Sequence, residues 1–444
     1  MENSKQGRKK KLLISLAVVF AIGIAYLAYF LILEYKVHSK QREIRKAGYP
    51  ASPEELEKWY AEPPAGKNAA PVYEEAFKNF CENPAGVDTS KLVICGSADL
   101  PALEIKIPDE MIETARKYLT ANSKAIELVH KASSMDSCRF QVEISDAERS
   151  LAYHSKLRQA ARILYLQAVI SSEEGNLQKA FESAIDSCRL TMSLENEPLP
   201  DSFITQMALE HMALDSVERL IARGGLDEKQ LSQIGKEVSR FESMKSLERA
   251  YAGERALVLS EYYLEEFMEY AVYGFPGFVR SSPFLKKMVF FLFDVSCLRM
   301  INNLSGIGFL TELIELSKNR PESILSPLKK IDGKIDCLPS YLFAVKIYMP
   351  HLCSITEKKI LLVSRTRVVL TAVAVESYLL INKKLPENLS VPVDPVDGKP
   401  VRYVKTEKGF LIYSTGADGQ DNKGNSGSNR GFSPGEDFSV KLIR

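Results

Sequence analysis

The chain has 444 residues, enough for two to four units at roughly 100–200 residues per domain. Apolar residues are 45% and charged residues 26%, which excludes a disordered chain, a collagen and a polytopic membrane protein. Lys plus Arg is 58 and Asp plus Glu is 57, so the basic surplus of a nucleic-acid binder is absent.

Residues 12–33 carry no charge and read LLISLAVVFAIGIAYLAYFLIL. About 20 apolar residues in a helix cross the hydrocarbon core, where the backbone must satisfy its own hydrogen bonds. The run is longer than a signal-peptide core, and Tyr-Phe-Leu-Ile-Leu at its end offers no small-residue cleavage site, so an uncleaved anchor is expected. Five basic residues precede it and five follow it: Lys5, Arg8, Lys9, Lys10 and Lys11 against Lys36, Lys40, Arg42, Arg45 and Lys46. The tight cluster Arg8–Lys11 favours a cytoplasmic tail over residues 1–11, an inner-membrane, single-pass location, and a chain whose bulk is extracytoplasmic.

Residues 34–108 read as juxtamembrane helices and a connection. Ser52-Pro-Glu-Glu55 has an N-cap, a proline in the first turn and a glutamate at N3, so a short helix starts there. Asn68-Ala-Ala-Pro-Val-Tyr73 opens another, and 82–108 is expected to be a long surface connection. From 109 to 355 the pattern is that of an α-helical domain. Helices are predicted over 109–133, 145–173, 177–194, 201–223, 227–240, 245–272, 284–318, 321–331, 339–350 and 356–382. Leu164, Ala168, Gly175, Ala180 and Ala184 match one tetratricopeptide unit or an ordinary helical hairpin. Residues 288–298, MVFFLFDVSCL, are too short to span a membrane and are expected to form a buried helix, with a membrane-resting amphipathic helix as the alternative.

Chemistry is sparse. No Walker loop, dinucleotide fingerprint or Gly-x-Ser-x-Gly occurs. The seven cysteines are widely spaced with no Cys-x-x-Cys and read mainly as small buried hydrophobes. His211 and Asp215 stand one helical turn apart without a third ligand, and a helix-surface pair is expected. Glu254, Glu261, Glu265, Glu266 and Glu269 read as a solvated helix face.

Beyond Lys384 the character changes. Strands are predicted over 401–404, 409–413 and 438–442, with Ser414-Thr-Gly-Ala-Asp-Gly-Gln-Asp-Asn-Lys-Gly424 between the last two and Gly435-Glu-Asp437 before the final strand. Asp418 and Asp421 can supply two carboxylates to a calcium ion, Asp437 a third, with Glu436 as substitute. Gly416, Gly419 and Gly424 can adopt positive φ and turn carbonyls inward. A solvated turn serving only backbone geometry is the competing reading.

The run from the last helix through Leu385-Pro386, Asp394-Pro395, Asp397-Gly-Lys-Pro400, Tyr403 and Tyr413-Ser-Thr-Gly-Ala-Asp-Gly-Gln420 to Gly-Glu-Asp437 resembles the C-terminal half of the major pseudopilin of type II secretion systems, the protein G-like module. The likeness covers about residues 361–444. It implies a long helix against a small sheet and a calcium-holding final loop, with Asp418 and Asp437 matching that pattern best. The whole layout is similar to membrane-anchored bacterial proteins. The pseudopilin leader site is missing at Lys11-Leu-Leu-Ile14, and about 330 residues separate the two hydrophobic helices.

The expectation is therefore a mainly α chain with a single N-terminal transmembrane helix, a stacked-helix domain, and a small α+β module with an antiparallel meander over 356–444. The bilayer and one or more proteins are the expected partners. A membrane-anchored, non-enzymatic interaction protein is the leading function. A secretion-apparatus component, or an envelope hydrolase with its site in a cleft between helices, are the alternatives.

Overall fold

A computed structural model describes residues 2–102, 105–142, 144, 151–258, 282–407, 409–426, 433 and 435–443. The chain is mainly helical, with one long apolar helix at the N-terminus and a three-stranded antiparallel sheet at the C-terminus.

Helix α1 runs unbroken over Glu2–Lys46. Its apolar segment is exposed from Leu13 to Tyr29, as a membrane-crossing helix would be outside a bilayer. Toward its end the helix enters the body. Leu33 and Ile44 are buried, while Phe30, Val37 and Gln41 are half-buried. That four-and-three spacing places them on one face. The chain then turns at Gly48, and α2 (Pro53–Trp59) starts where expected. Ser52 Oγ accepts the Glu55 N–H at 3.3 Å, and the Glu55 carboxylate accepts the Ala51 N–H at 2.9 Å. Arg45 binds the same carboxylate at 2.8 Å, tying α1 to α2.

The next helices are α3 (Ala70–Lys78), α4 (Asp109–Ala121), α5 (Ser123–Ser133), α6 (Ala152–Glu173), α7 (Leu177–Leu190), α8 (Pro200–Arg223), α9 (Glu228–Ser239) and α10 (Lys245–Leu257). Then come α11 (Pro283–Val295), α12 (Leu298–Ser317), α13 (Leu325–Asp336) and α14 (Phe343–Asn382). The 82–108 connection is less superficial than expected, because Leu92, Val93 and Ile107 are fully buried against α6. Helices α6 and α7 form the hairpin read from the alanine spacing, with Gly175 at φ 79° in its turn.

Three predicted boundaries move. The helix expected over 109–133 breaks at Asn122, whose buried side chain accepts the Cys81 N–H at 2.9 Å and donates to the Cys81 carbonyl at 3.0 Å. The helix expected over 284–318 breaks at Cys297, which takes φ 61°. The two helices expected at 339–350 and 356–382 are one, because α14 continues through Pro350. The ends of the helices predicted over 145–173 and 245–272 fall partly outside the described residues.

Strands β1 (Arg402–Thr406), β2 (Gly409–Ser414) and β3 (Phe438–Ile443) form an antiparallel meander in the order β1-β2-β3. Phe410 pairs with Leu442, Ile412 with Val440 and Ser414 with Phe438, so alternate residues bury one face of the sheet. That face packs on α14, and one continuous core joins Ile44 of α1, α7–α10, α12–α14 and the sheet. All seven cysteines are free thiols; Cys337 is exposed.

Candidate functional site

The C-terminal loop is built around buried carboxylates. Asp394 has no exposed surface and accepts from Ser364 Oγ at 2.9 Å, Val396 N–H at 3.0 Å and both Thr415 N–H (2.9 Å) and Oγ1 (3.1 Å). Burial pushes its pKa upward. Arg402 then gathers three carboxylates: Asp394 at 3.1 Å, Asp397, and Asp421 at 3.9 Å.

The three residues expected to hold calcium sit as follows. Asp418 accepts the Gln420 N–H at 2.9 Å and the Gly435 N–H at 2.7 Å, which closes the loop across 17 residues. These bonds hold its carboxyl below the usual range. Asp437 is fully buried and accepts the Asn422 N–H at 3.0 Å and the Gly424 N–H at 2.8 Å. Asp421 accepts the Lys423 N–H at 2.9 Å and faces Arg402. Glu436 is buried. Gly419 and Gly424 do take positive φ, at 68° and 79°; Gly416 is not among the positive-φ glycines. Among the described residues, no three His, Cys, Asp or Glu side chains are grouped so as to hold a metal ion. Calcium would have to compete with N–H donors for the oxygens of Asp418 and Asp437, and with Arg402 for Asp421.

His211 and Asp215 are half-buried and engaged by a third side chain, where the sequence suggested a simple helix-surface pair. Arg365 of α14 is buried between α8 residues, with Nη2 at 2.6 Å from Asp215 and 2.8 Å from Glu218, and Nη1 at 3.3 Å from His211 Nδ1. Burial and the neighbouring guanidinium push the His211 pKa down to about 3. Glu254 likewise is buried, not solvated, and Tyr348 hydrogen-bonds to it. Glu261, Glu265, Glu266 and Glu269 lie outside the described residues.

Three polar clusters escaped the sequence reading, because each joins residues far apart in the chain. Lys359 of α14 meets Glu210 of α8 at 3.1 Å and donates to the Phe241 carbonyl at 2.8 Å, with both ionic groups almost fully buried. His130 Nδ1 contacts the buried Asp186, which also accepts from Ser133 Oγ at 2.7 Å. Glu197 accepts from Tyr60 at 3.3 Å, and from Tyr153 and Ser202. Ser202 Oγ also lies 3.2 Å from His154 Nε2.

A Ser-His-acid set invites comparison with a hydrolytic triad, but its wiring differs. A triad acid holds the imidazole by the nitrogen remote from the serine. Here Glu197 binds the serine itself and lies 3.6 Å from the same Nε2. Ser202 has no exposed surface and so presents no nucleophile. The cluster clamps α2, α6 and the start of α8 together.

Two of the solvent-open concavities among the described residues are lined by charged side chains from several elements. One, of about 300 Å³, lies between residues 132–138 and helices α7 and α9, and Arg189, Glu237 and Arg240 form ion pairs at its wall. The other, of about 650 Å³, lies between α8, α14 and the C-terminal sheet, where Arg219, Arg365, Lys423 and Lys441 face Asp215 and Glu218. No family model, curated protein or solved structure matches the chain.

Proposed function

We propose that this chain is a membrane-anchored, non-enzymatic interaction protein that holds a helical body at the membrane surface on the extracytoplasmic side. One observation carries the reading. The exposed apolar segment of α1 and the face buried in the body belong to one unbroken helix, so the body is joined rigidly to the span rather than hung on a linker. The Arg8–Lys11 cluster supports a cytoplasmic N-terminus. The charged cleft between α8, α14 and the sheet is the surface best suited to a protein partner.

Sidedness is tested on the exposed thiol of Cys337. A membrane-impermeant maleimide labels it in intact spheroplasts, while Ser4→Cys reacts only after permeabilisation; the reverse pattern would sink the extracytoplasmic assignment. The partner is tested with a photo-crosslinker at Lys441 in native membranes. A discrete adduct, lost when Arg219 is changed to Glu, supports a cleft-bound protein; the absence of any adduct counts against it.

A second reading, a component of a secretion apparatus, is supported by the pairing of α14 with a three-stranded meander. It predicts co-isolation with pilin-like subunits. A calcium ion clamping the C-terminal loop belongs to the first reading, supported by the Asp- and Gly-rich composition of residues 414–424. Thermal unfolding in EDTA and in millimolar calcium tests it. A ligand at about 100 times its Kd adds roughly 2.7 kcal/mol to the folded state. A rise in Tm that Asp418→Ala abolishes supports the ion, and an unchanged Tm leaves the loop closed by its own N–H groups.

A further inference from the structure

Among the described side chains of α11, three large apolar ones are exposed, which departs from the buried helix expected and fits its alternative, a membrane-resting helix. Phe284 is 74% exposed, Phe291 65% and Met288 42%. Their spacing of four and three residues puts them on one face. Tyr341 and Ile347, at the neighbouring start of α14, are also exposed, and Phe293 packs near Phe343 with ring centres 5.4 Å apart. Among the described residues, five of the nine exposed large apolar side chains outside α1 lie in this one region. Such clustering on a polar-rimmed body marks a contact surface.

The depth of this region relative to the anchor identifies what covers it. Cys297, which joins α11 to α12, places its Sγ 3.7 Å from the Tyr26 hydroxyl. Hydrocarbon cannot begin before Lys11, so the core starts near Leu12. From Leu12 to Tyr26 are 14 steps, or about 21 Å of helix at 1.5 Å per residue. The hydrocarbon core is about 30 Å thick. The far boundary therefore lies about 9 Å beyond Tyr26, toward the body. Any tilt of α1 shortens its rise and deepens the overlap.

We infer that α11, with the adjoining start of α14, is an interfacial helix sunk into the outer part of the same bilayer leaflet that α1 leaves, its Phe284–Met288–Phe291 face covered by lipid acyl chains. Lys287 is exposed beside that stripe and is long enough to carry its ammonium to the headgroups. The body is then held at two places, by a spanning helix and by a helix lying in the interface, which fixes its orientation on the membrane as well as its attachment. The inference rests on α1 being the membrane anchor.

The test is depth-resolved quenching of the full-length protein reconstituted in vesicles of phosphatidylcholine brominated at shallow or deep acyl positions. Phe291→Trp and, separately, Phe20→Trp are placed in the Trp59→Phe background; if that background misfolds, the unsubstituted chain, whose Trp59 lies in the body, is the baseline. Position 20 loses most of its fluorescence to deep bromines, which reports the anchor. Position 291 loses most of its fluorescence to shallow bromines. Quenching at 20 with none at 291 overturns the interfacial helix while leaving the anchor intact. No quenching at either position overturns both. Efficient disulfide dimers of Phe291→Cys in unbrominated vesicles, together with no quenching of the Phe291→Trp variant, overturn the lipid assignment in favour of a second copy of the chain.

Discussion

His211 shows how one buried side chain ties stability to pH. In the unfolded chain its imidazole titrates near 6.5, whereas burial beside Arg365 depresses the folded value to about 3. The unfolded state therefore binds the extra proton between those values, and stability is lost as pH falls through that window. By pH 5 the loss is about 2 kcal/mol, at roughly 1.4 kcal/mol per unit. His211→Asn should lose less stability than the parent between pH 7 and pH 5 in urea unfolding of detergent-solubilised protein; equal losses would show that His211 is not the source. His130 has the opposite sign. Asp186 raises its pKa, so its contribution is present below about 6.5 and fades as pH rises through the raised value. At Lys359 the charge itself is the issue. Lys359→Met leaves Glu210 buried without its partner, which costs about 3–5 kcal/mol. Adding Glu210→Leu should restore most of it, and a double variant as weak as the single would sink this account.

Elements meet through close backbone approaches that composition does not reveal. Gly253 lies in α10, where a Cβ would fall 1.9 Å from the Pro198 carbonyl oxygen. Gly253→Ala must therefore push α10 away from residues 194–199, and a large drop in Tm is expected; a loss within about 0.5 kcal/mol, the range of an ordinary surface change, would refute it. Gly424 has positive φ and a Cβ position 2.8 Å from Leu411, so it too admits no side chain without a shift. Asp437→Ala should strip two backbone N–H groups of their acceptor and cost at least about 2 kcal/mol. The periodic signals were legible: the long apolar N-terminal helix, the capping of α2, the α6–α7 hairpin and all three strands lie where their sequences put them. The breaks were not. Cys297 enters the left-handed region without a glycine to announce it, and Pro350 lies inside α14, because tertiary packing outweighs local preference at both places. The polar clusters were invisible for a related reason. Glu210 and Lys359 are 149 residues apart, and no local spacing encodes their meeting.

At the scale of the molecule the expected units do not separate cleanly. The boundary placed at 355–356 falls inside α14, and the sheet shares one core with α7–α10. Helix α1 is equally integrated. A chain starting at residue 35 lacks Phe30 and Leu33 and uncovers the strip of α12 on which α1 packs. It should self-associate without detergent; a monodisperse monomer by light scattering would show that the strip closes by itself.

Tyr26 and Cys297 touch across 271 residues of sequence, which has a consequence for biogenesis. At roughly 5–20 residues per second of synthesis, α1 emerges tens of seconds before α12 exists. Through that interval the inward face of α1 has no protein to cover it and must be sheltered by lipid or by a chaperone. On the proposed anchoring, the helical body is then assembled onto a post already standing in the bilayer, and α14 and the sheet, made last, close the core around it.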